Sequence, residues 1–150
     1  MGKRIALGSD HAGFPLKEEL RRYLQDQGYA VLDLGTDSTE SVDYPQFAAK
    51  VAHAVVGGTA DLGLLCCGTG IGVAISANKV RGVRAASVSE PASARLAREH
   101  NDANVLCLGA RIVGIELARE IVHAWVTASF QGGRHQRRVD QIRDLEEGRG

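Results

Sequence analysis

At 150 residues, 44% of them hydrophobic and 24% charged, the chain is long enough to bury one core and too short to favour two. Eighteen basic residues balance eighteen acidic ones, so no overall field recruits nucleic acid or an anionic membrane surface, and any anionic ligand must be met locally. Three cysteines, two of them adjacent, suit neither a disulfide framework nor a zinc site and point to a reduced, cytoplasmic setting, and no apolar stretch approaches membrane-spanning length.

The first apolar run, residues 4–7, predicts a strand that leaves into Gly8-Ser9-Asp10-His11-Ala12-Gly13. Leu16, Leu20, Tyr23 and Leu24 then recur at helical spacing, with Lys17, Glu18, Arg21, Arg22 and Gln25 outside, Pro15 in the first turn and Gly28 as the stop. A second strand over 30–34 leads to a helix with Asp43 as N-cap and Pro45 just inside. Its buried stripe is Phe47, Val51, Ala54 and Val55, and Gly57-Gly58 ends it. The third strand, 62–66, runs into Cys67-Gly68-Thr69-Gly70-Ile71-Gly72, a glycine-rich turn that opens a helix. Residues 83–88 read as a fourth strand, followed by a helix opened by Ser89 and Pro91 and running to about His100. Residues 105–108 read as a fifth, followed by a helix marked by Leu117, Ile121, Ala124 and Trp125. After Gly132-Gly133 a last helix carries only Val139, Ile142 and Leu145 amid Arg134, Arg137, Arg138 and Arg143. So thin a stripe suits a surface helix or one laid across a partner subunit.

This alternation predicts an α/β fold: a Rossmann-like three-layer αβα sandwich with a five-stranded parallel sheet in the order 2-1-3-4-5, plus a C-terminal helix, with residues 1–150 forming one domain. In that order strands 1 and 3 are neighbours, and ligands bind in the crevice between their carboxyl ends. The loop at 8–13 and the glycine turn at 67–72 therefore converge.

A strand ending in a glycine-rich turn points several backbone N–H groups at one spot, where an anion or a developing oxyanion can sit. Cys66 reads as core. Cys67 alternates to the other face and, as the last residue before glycine, is either packing or a reactive thiol at the rim. The turn lacks the Gly-Lys-Ser/Thr ending of a phosphate loop, and Val73 stands where a dinucleotide fingerprint needs its third glycine, which demotes nucleotide binding. Asp10-His11 is either a loop cap or a neighbour of Cys67, and His100-Asn101-Asp102 is either a helix end or a source of acid–base chemistry. Arg134 and Arg138 share a helical face, as a phosphate clamp or a solvated basic face, and Arg111 follows the last strand toward the site. His53 and His123 read as ordinary helical histidines.

Gly-Ser-Asp-His-Ala-Gly-Phe at 8–14, Asp-Tyr-Pro at 43–45, Cys-Gly-Thr-Gly-Ile-Gly at 67–72, Ala-Asn-Lys at 77–79, Glu-His-Asn-Asp at 99–102, Leu-Gly-Ala-Arg at 108–111 and Gly-Gly-Arg-His at 132–135 together closely resemble ribose-5-phosphate isomerase of type B. The resemblance spans nearly the whole chain. It implies interconversion of ribose 5-phosphate and ribulose 5-phosphate through a cis-enediolate, without metal or organic cofactor, in the pentose phosphate pathway. Carried over, Cys67 would move the proton between carbons 1 and 2, and His100 would open the furanose ring, with Asp10 and Thr69 assisting at sugar hydroxyls. The amides of Gly68, Thr69, Gly70, Ile71 and Gly72 would stabilise the enediolate oxygen, and His11, Asn101, Arg111, Arg134 and Arg138 would hold the sugar phosphate. One branch of the family carries a glutamate base where this chain has Ile71, so Cys67 places it in the thiol branch. Relatives act on six-carbon sugars such as allose 6-phosphate or galactose 6-phosphate, which the motifs separate poorly.

The helix after the fourth strand starts at the carboxyl edge of the sheet and returns to the opposite one, so His100 and Asn101 should end far from Cys67 of their own chain. The expectation is a homodimer with a site shared between chains, alone or paired into a tetramer. From another class, a non-catalytic phosphate- or nucleotide-sensing domain would need the glycine turn but not Cys67, His100 and the arginine pair together. A thiol redox protein would want Cys-x-x-Cys, and adjacent Cys66-Cys67 are poor partners.

Overall fold

Each apolar run becomes a strand because it is bounded by glycine or a polar turn, and each amphipathic run between them becomes a helix. The computed structural model describes residues 2–150. In chain order it contains β1 (Arg4–Ser9), α1 (Phe14–Asp26), β2 (Ala30–Asp33), α2 (Tyr44–Val56), β3 (Leu62–Cys67), α3 (Ile71–Ala77), β4 (Ala85–Ser87), α4 (Pro91–Asn101), β5 (Val105–Gly109), α5 (Ile115–Val126) and α6 (Arg134–Glu146). The three prolines sit at the starts of α1, α2 and α4, where a missing N–H costs nothing. No helix among the described residues is long and apolar enough to cross a membrane.

The sheet is parallel throughout, as expected, and β1 lies beside β3. Its order is β2-β1-β3-β5-β4, which corrects the expected 2-1-3-4-5: the last two strands exchange places. Of these two, β5 takes the inner position, and its five residues are all buried, whereas β4 has only three, each at least partly exposed. A parallel strand covered on both faces must be apolar on both, and only β5 meets that condition.

Side chains alternating along the strands build two cores. Ile5, Leu7, Leu64, Cys66, Leu106 and Leu108 pack with α1, α4 and α5, around a fully buried Trp125. Ala6, Leu65, Cys67, Val105 and Cys107 pack with α2 and α3. Cys66 and Cys67 thus face opposite layers, as strand alternation requires.

Lys17 departs from the expected outer face of α1. Its side chain is 1% exposed, with Nζ 2.7 Å from Asp33 Oδ1 at the end of β2 and 3.3 Å from Glu18 Oε2. An ammonium is buried only when paired, and Asp33 also accepts from Gly35 N at 3.0 Å, so one carboxylate serves both ammonium and loop. Asp33→Ala is expected to destabilise the protein by about 2 kcal/mol, below the usual cost of orphaning a buried charge because Glu18 remains and Asp33 is partly solvated. Urea unfolding of this variant beside Lys17→Met, which removes the ammonium and should cost less, measures it.

The edge strand β4 is tied from outside. Arg84 and Val88 bond inward, Val105 N donating to Arg84 O at 3.4 Å and Val88 N to Cys107 O at 3.2 Å, so Ala85 turns outward. The Asn78 amide meets it there: Ala85 N donates to Asn78 Oδ1 at 2.8 Å, and Asn78 Nδ2 donates to Ala85 O at 3.0 Å. Helix α6 packs on α4, and its Glu146 accepts from Gly82 N at 3.0 Å. Its stripe is only half used, with Val139 buried while Ile142 and Leu145 are 46% and 68% exposed.

Candidate active site

The carboxyl ends of β1 and β3 open into a cleft of about 450 Å³ lined by Asp10, His11, Ala12, Tyr44, Cys67, Gly68, Thr69, Ile71, Gly72, Ile75 and Arg111. Parallel pairing brings Ser9 level with Cys66, so the residues after them meet. Asp10 is buried, and its Oδ1 accepts from Gly13 N at 2.9 Å, closing the β1 loop onto its own backbone. His11 Nδ1 accepts from Val42 N at 3.1 Å. That bond places the ring proton on Nε2, which becomes a donor.

Cys67 ends β3 with its sulfur turned back toward the following turn, where Gly70 N donates to Sγ at 3.2 Å. An amide aimed at sulfur is a contact that an anionic sulfur exploits best. Ile71 N donates in the same way to Thr69 Oγ1 at 3.2 Å. Gly70 adopts φ +78°, and a Cβ there would lie 2.8 Å from the Leu108 carbonyl carbon, so glycine is required by conformation and by space alike. Gly68 has another reason: a Cβ there would meet Arg111 Nη1 at 2.8 Å. The guanidinium therefore lies directly over the turn, and Arg111 N donates to Gly68 O at 2.9 Å.

The other two thiols lie within the sheet, fully buried. Burial, reinforced for Cys66 by the neighbouring Cys67 sulfur and for Cys107 by both other thiols, pushes each above its ordinary range. Brief iodoacetamide treatment of the folded protein in mildly alkaline solution is expected to modify Cys67, at the cleft, and to spare Cys66 and Cys107. Peptide mass spectrometry reads the outcome, and comparable labelling of Cys66 and Cys107 would refute it.

Eight residues expected at the site line this cleft, namely Asp10, His11, Cys67, Gly68, Thr69, Ile71, Gly72 and Arg111, and Gly70 shapes its turn. His100, Asn101, Arg134 and Arg138 do not line it. Asn101 lines a separate groove with Asn78, Ile142 and Glu146, and His100 stacks on His135 of α6. Helix α4 delivers both to the amino edge, just before β5 begins, whereas Cys67 is level with Gly109 at its end. Four strand steps of about 3.3 Å put the two edges about 13 Å apart along β5 alone.

Tyr44 and Ile75 line the cleft without having been singled out. Tyr44 lay within the Asp-Tyr-Pro motif, and its ring packs where a Cβ on Gly72 would stand. His135 closes the Gly-Gly-Arg-His motif.

A family model described as Ribose/Galactose Isomerase matches residues 5–142. Ribose-5-phosphate isomerase B of Escherichia coli K12 is 54% identical over 147 residues, covering 98% of this chain and 99% of the relative. Among solved structures, ribose-5-phosphate isomerase B of Clostridium thermocellum superposes with a TM-score of 0.96 at 52% identity, covering 98% of this chain and 99% of that one. The Mycoplasma genitalium ribose-5-phosphate isomerase B, with bound ribulose-5-phosphate, superposes at 0.92 with 45% identity and 96% coverage of both chains.

Proposed function

Because the chain belongs to the ribose/galactose isomerase family and is a sugar-phosphate isomerase, we infer that it interconverts ribose 5-phosphate and ribulose 5-phosphate, with Cys67 as the base. The observation that carries this reading is the Cys67 sulfur at the cleft, hydrogen-bonded by Gly70 N and flanked by Asp10, Thr69 and Arg111. A C–H next to a carbonyl releases its proton only if the enediolate charge is stabilised as it forms. Cys67 takes the proton from carbon 2 of the open-chain aldose and returns it at carbon 1, while the amides between Gly68 and Gly72 that are not already bonded to Sγ or Thr69 Oγ1 meet the enediolate oxygen. Asp10 and Thr69 handle hydroxyl protons, and Arg111 with the His11 Nε2–H grips the phosphate. A phosphorylated sugar fits the cationic side of this cleft.

Ribose 5-phosphate is mostly a closed furanose, and ring opening needs an acid–base group that the cleft of one chain does not line up. His100 is assigned that task, arriving with Asn101, Arg134 and Arg138 from a second chain, so that a homodimer forms two composite sites. Two features support the assignment: His100 and Asn101 end α4 on the amino edge, away from their own chain's Cys67, with His100 stacked on His135 next to Arg134 at the start of α6, and the α6 stripe is left half uncovered. The three free thiols fit the reducing cytoplasm.

Ketose formation from ribose 5-phosphate and from allose 6-phosphate, measured side by side, tests the substrate. Ribose 5-phosphate should be preferred by about tenfold or more in kcat/KM, the discrimination a pocket achieves over one extra carbon unit. A reversed preference would move the protein to the six-carbon branch, and no ketose from either would sink the reading.

A further inference from the structure

His100 ends α4 in a turn fixed from below. Asp102, at φ 49°, receives Arg98 Nη2 at 2.6 Å and Arg84 Nη2 at 3.3 Å, and Arg84 Nε donates to its carbonyl at 2.8 Å. That clamp holds the backbone but leaves the imidazole free to rotate. The ring is held instead by His135, with centroids 4.2 Å apart and planes 10° from parallel. The chain is bent to make this contact: Gln131 N donates to Glu99 O at 2.9 Å, pinning the approach to α6 against the end of α4. The Gly132-Gly133 turn then starts α6 with His135 in its first turn, between Arg134 and Arg138 in sequence.

We propose that His135 is a positioning residue for ring opening, a flat platform that fixes the His100 imidazole in the orientation from which it exchanges protons with the sugar. This rests on the assignment of ring opening to His100. An acid–base group must be held within a fraction of an ångström of its productive geometry, and a side chain on the last turn of a helix is not so held by its backbone alone. A parallel aromatic partner removes that freedom without hydrogen-bonding either ring nitrogen. The platform must also stay neutral when His100 carries a proton. Desolvation, then His100, Arg134 and Arg138, push the proton affinity of His135 down, which disfavours a charge on the platform. Because His135 shares a helix with the two arginines, one rigid element presents both platform and phosphate grip.

The test compares two substrates that differ in needing ring opening. Ribulose 5-phosphate is acyclic, since its 5-hydroxyl is esterified, so solvent-deuterium exchange at its carbon 1 requires the Cys67 base but not the ring-opening step. In the intact protein, His135→Ala should lower kcat on ribose 5-phosphate by about tenfold to a hundredfold, with KM nearly unchanged and exchange into ribulose 5-phosphate within about twofold of wild type. His135→Phe, which keeps a flat ring and discards the titrating nitrogen, should restore kcat to within about threefold. The His100 Hε1 resonance, held upfield by the stacked ring, should move downfield in His135→Ala and return in His135→Phe. An unmoved resonance, unchanged kcat in His135→Ala, or equal damage by Phe and Ala each overturns the platform. His100→Ala checks the underlying assignment separately: if it slows exchange as much as it slows ribose 5-phosphate turnover, the ring-opening role fails, and the platform's catalytic role fails with it even where the resonance moves as expected.

Discussion

Cys67→Ser is expected to lower turnover of ribose 5-phosphate by about a thousandfold, the usual worth of a positioned general base, in a protein that folds normally. The swap is nearly isosteric at a site already bounded by Gly70, so the Gly70 N–H that donated to sulfur at 3.2 Å finds an oxygen instead. What changes is the proton affinity of the group. A thiol releases its proton near neutrality often enough to act as a base, whereas a hydroxyl beside one amide does not. Solvent-deuterium exchange at carbon 1 of ribulose 5-phosphate should collapse in parallel, because it uses the same base without ring opening. Chemical denaturation would show stability within about 1 kcal/mol of wild type. Turnover within tenfold of wild type would remove Cys67 from its assigned role.

The second large effect is a recovery. Cys67→Ala and His100→Ala proteins should each be nearly inactive. If the site is shared, chains mixed by unfolding and refolding together form heterodimers in which one site combines both substitutions and the other combines both native groups. With random pairing half the dimers are mixed and half their sites are intact, so about a quarter of wild-type activity should return. No recovery, with heterodimers demonstrated by mass, would place His100 in the site of its own chain and require α4 to move a long way.

The contrast between these residues shows how far the sequence could be read. Opposite orientations for Cys66 and Cys67 followed from the two-residue period of a strand, and the meeting of Asp10 with Cys67 followed from the adjacency of β1 and β3. Local periodicity and one topological rule sufficed. The exchange of β4 and β5 was not legible, since strand position depends on which segment can bear burial on both faces, a comparison between distant segments. Lys17 reads as outward because the helical wheel records polarity and not the carboxylate that β2 sets beneath it. Tyr44 and His135 stood inside recognised motifs, but their contacts with Gly72 and His100 join segments remote in the chain.

The Asn78 amide on Ala85 bears on colloidal behaviour. An exposed strand edge is a template on which a second chain can add a strand, and repeated addition leads to insoluble assemblies. A side-chain amide offers the same donor and acceptor pair as a peptide unit, so Asn78 fills the outward position of β4 as a one-residue mock strand. Growth by edge pairing is blocked at that point, leaving association to side-chain surfaces, which can close on themselves. Loss of this amide should appear less in the melting temperature than in turbidity on storage or heating.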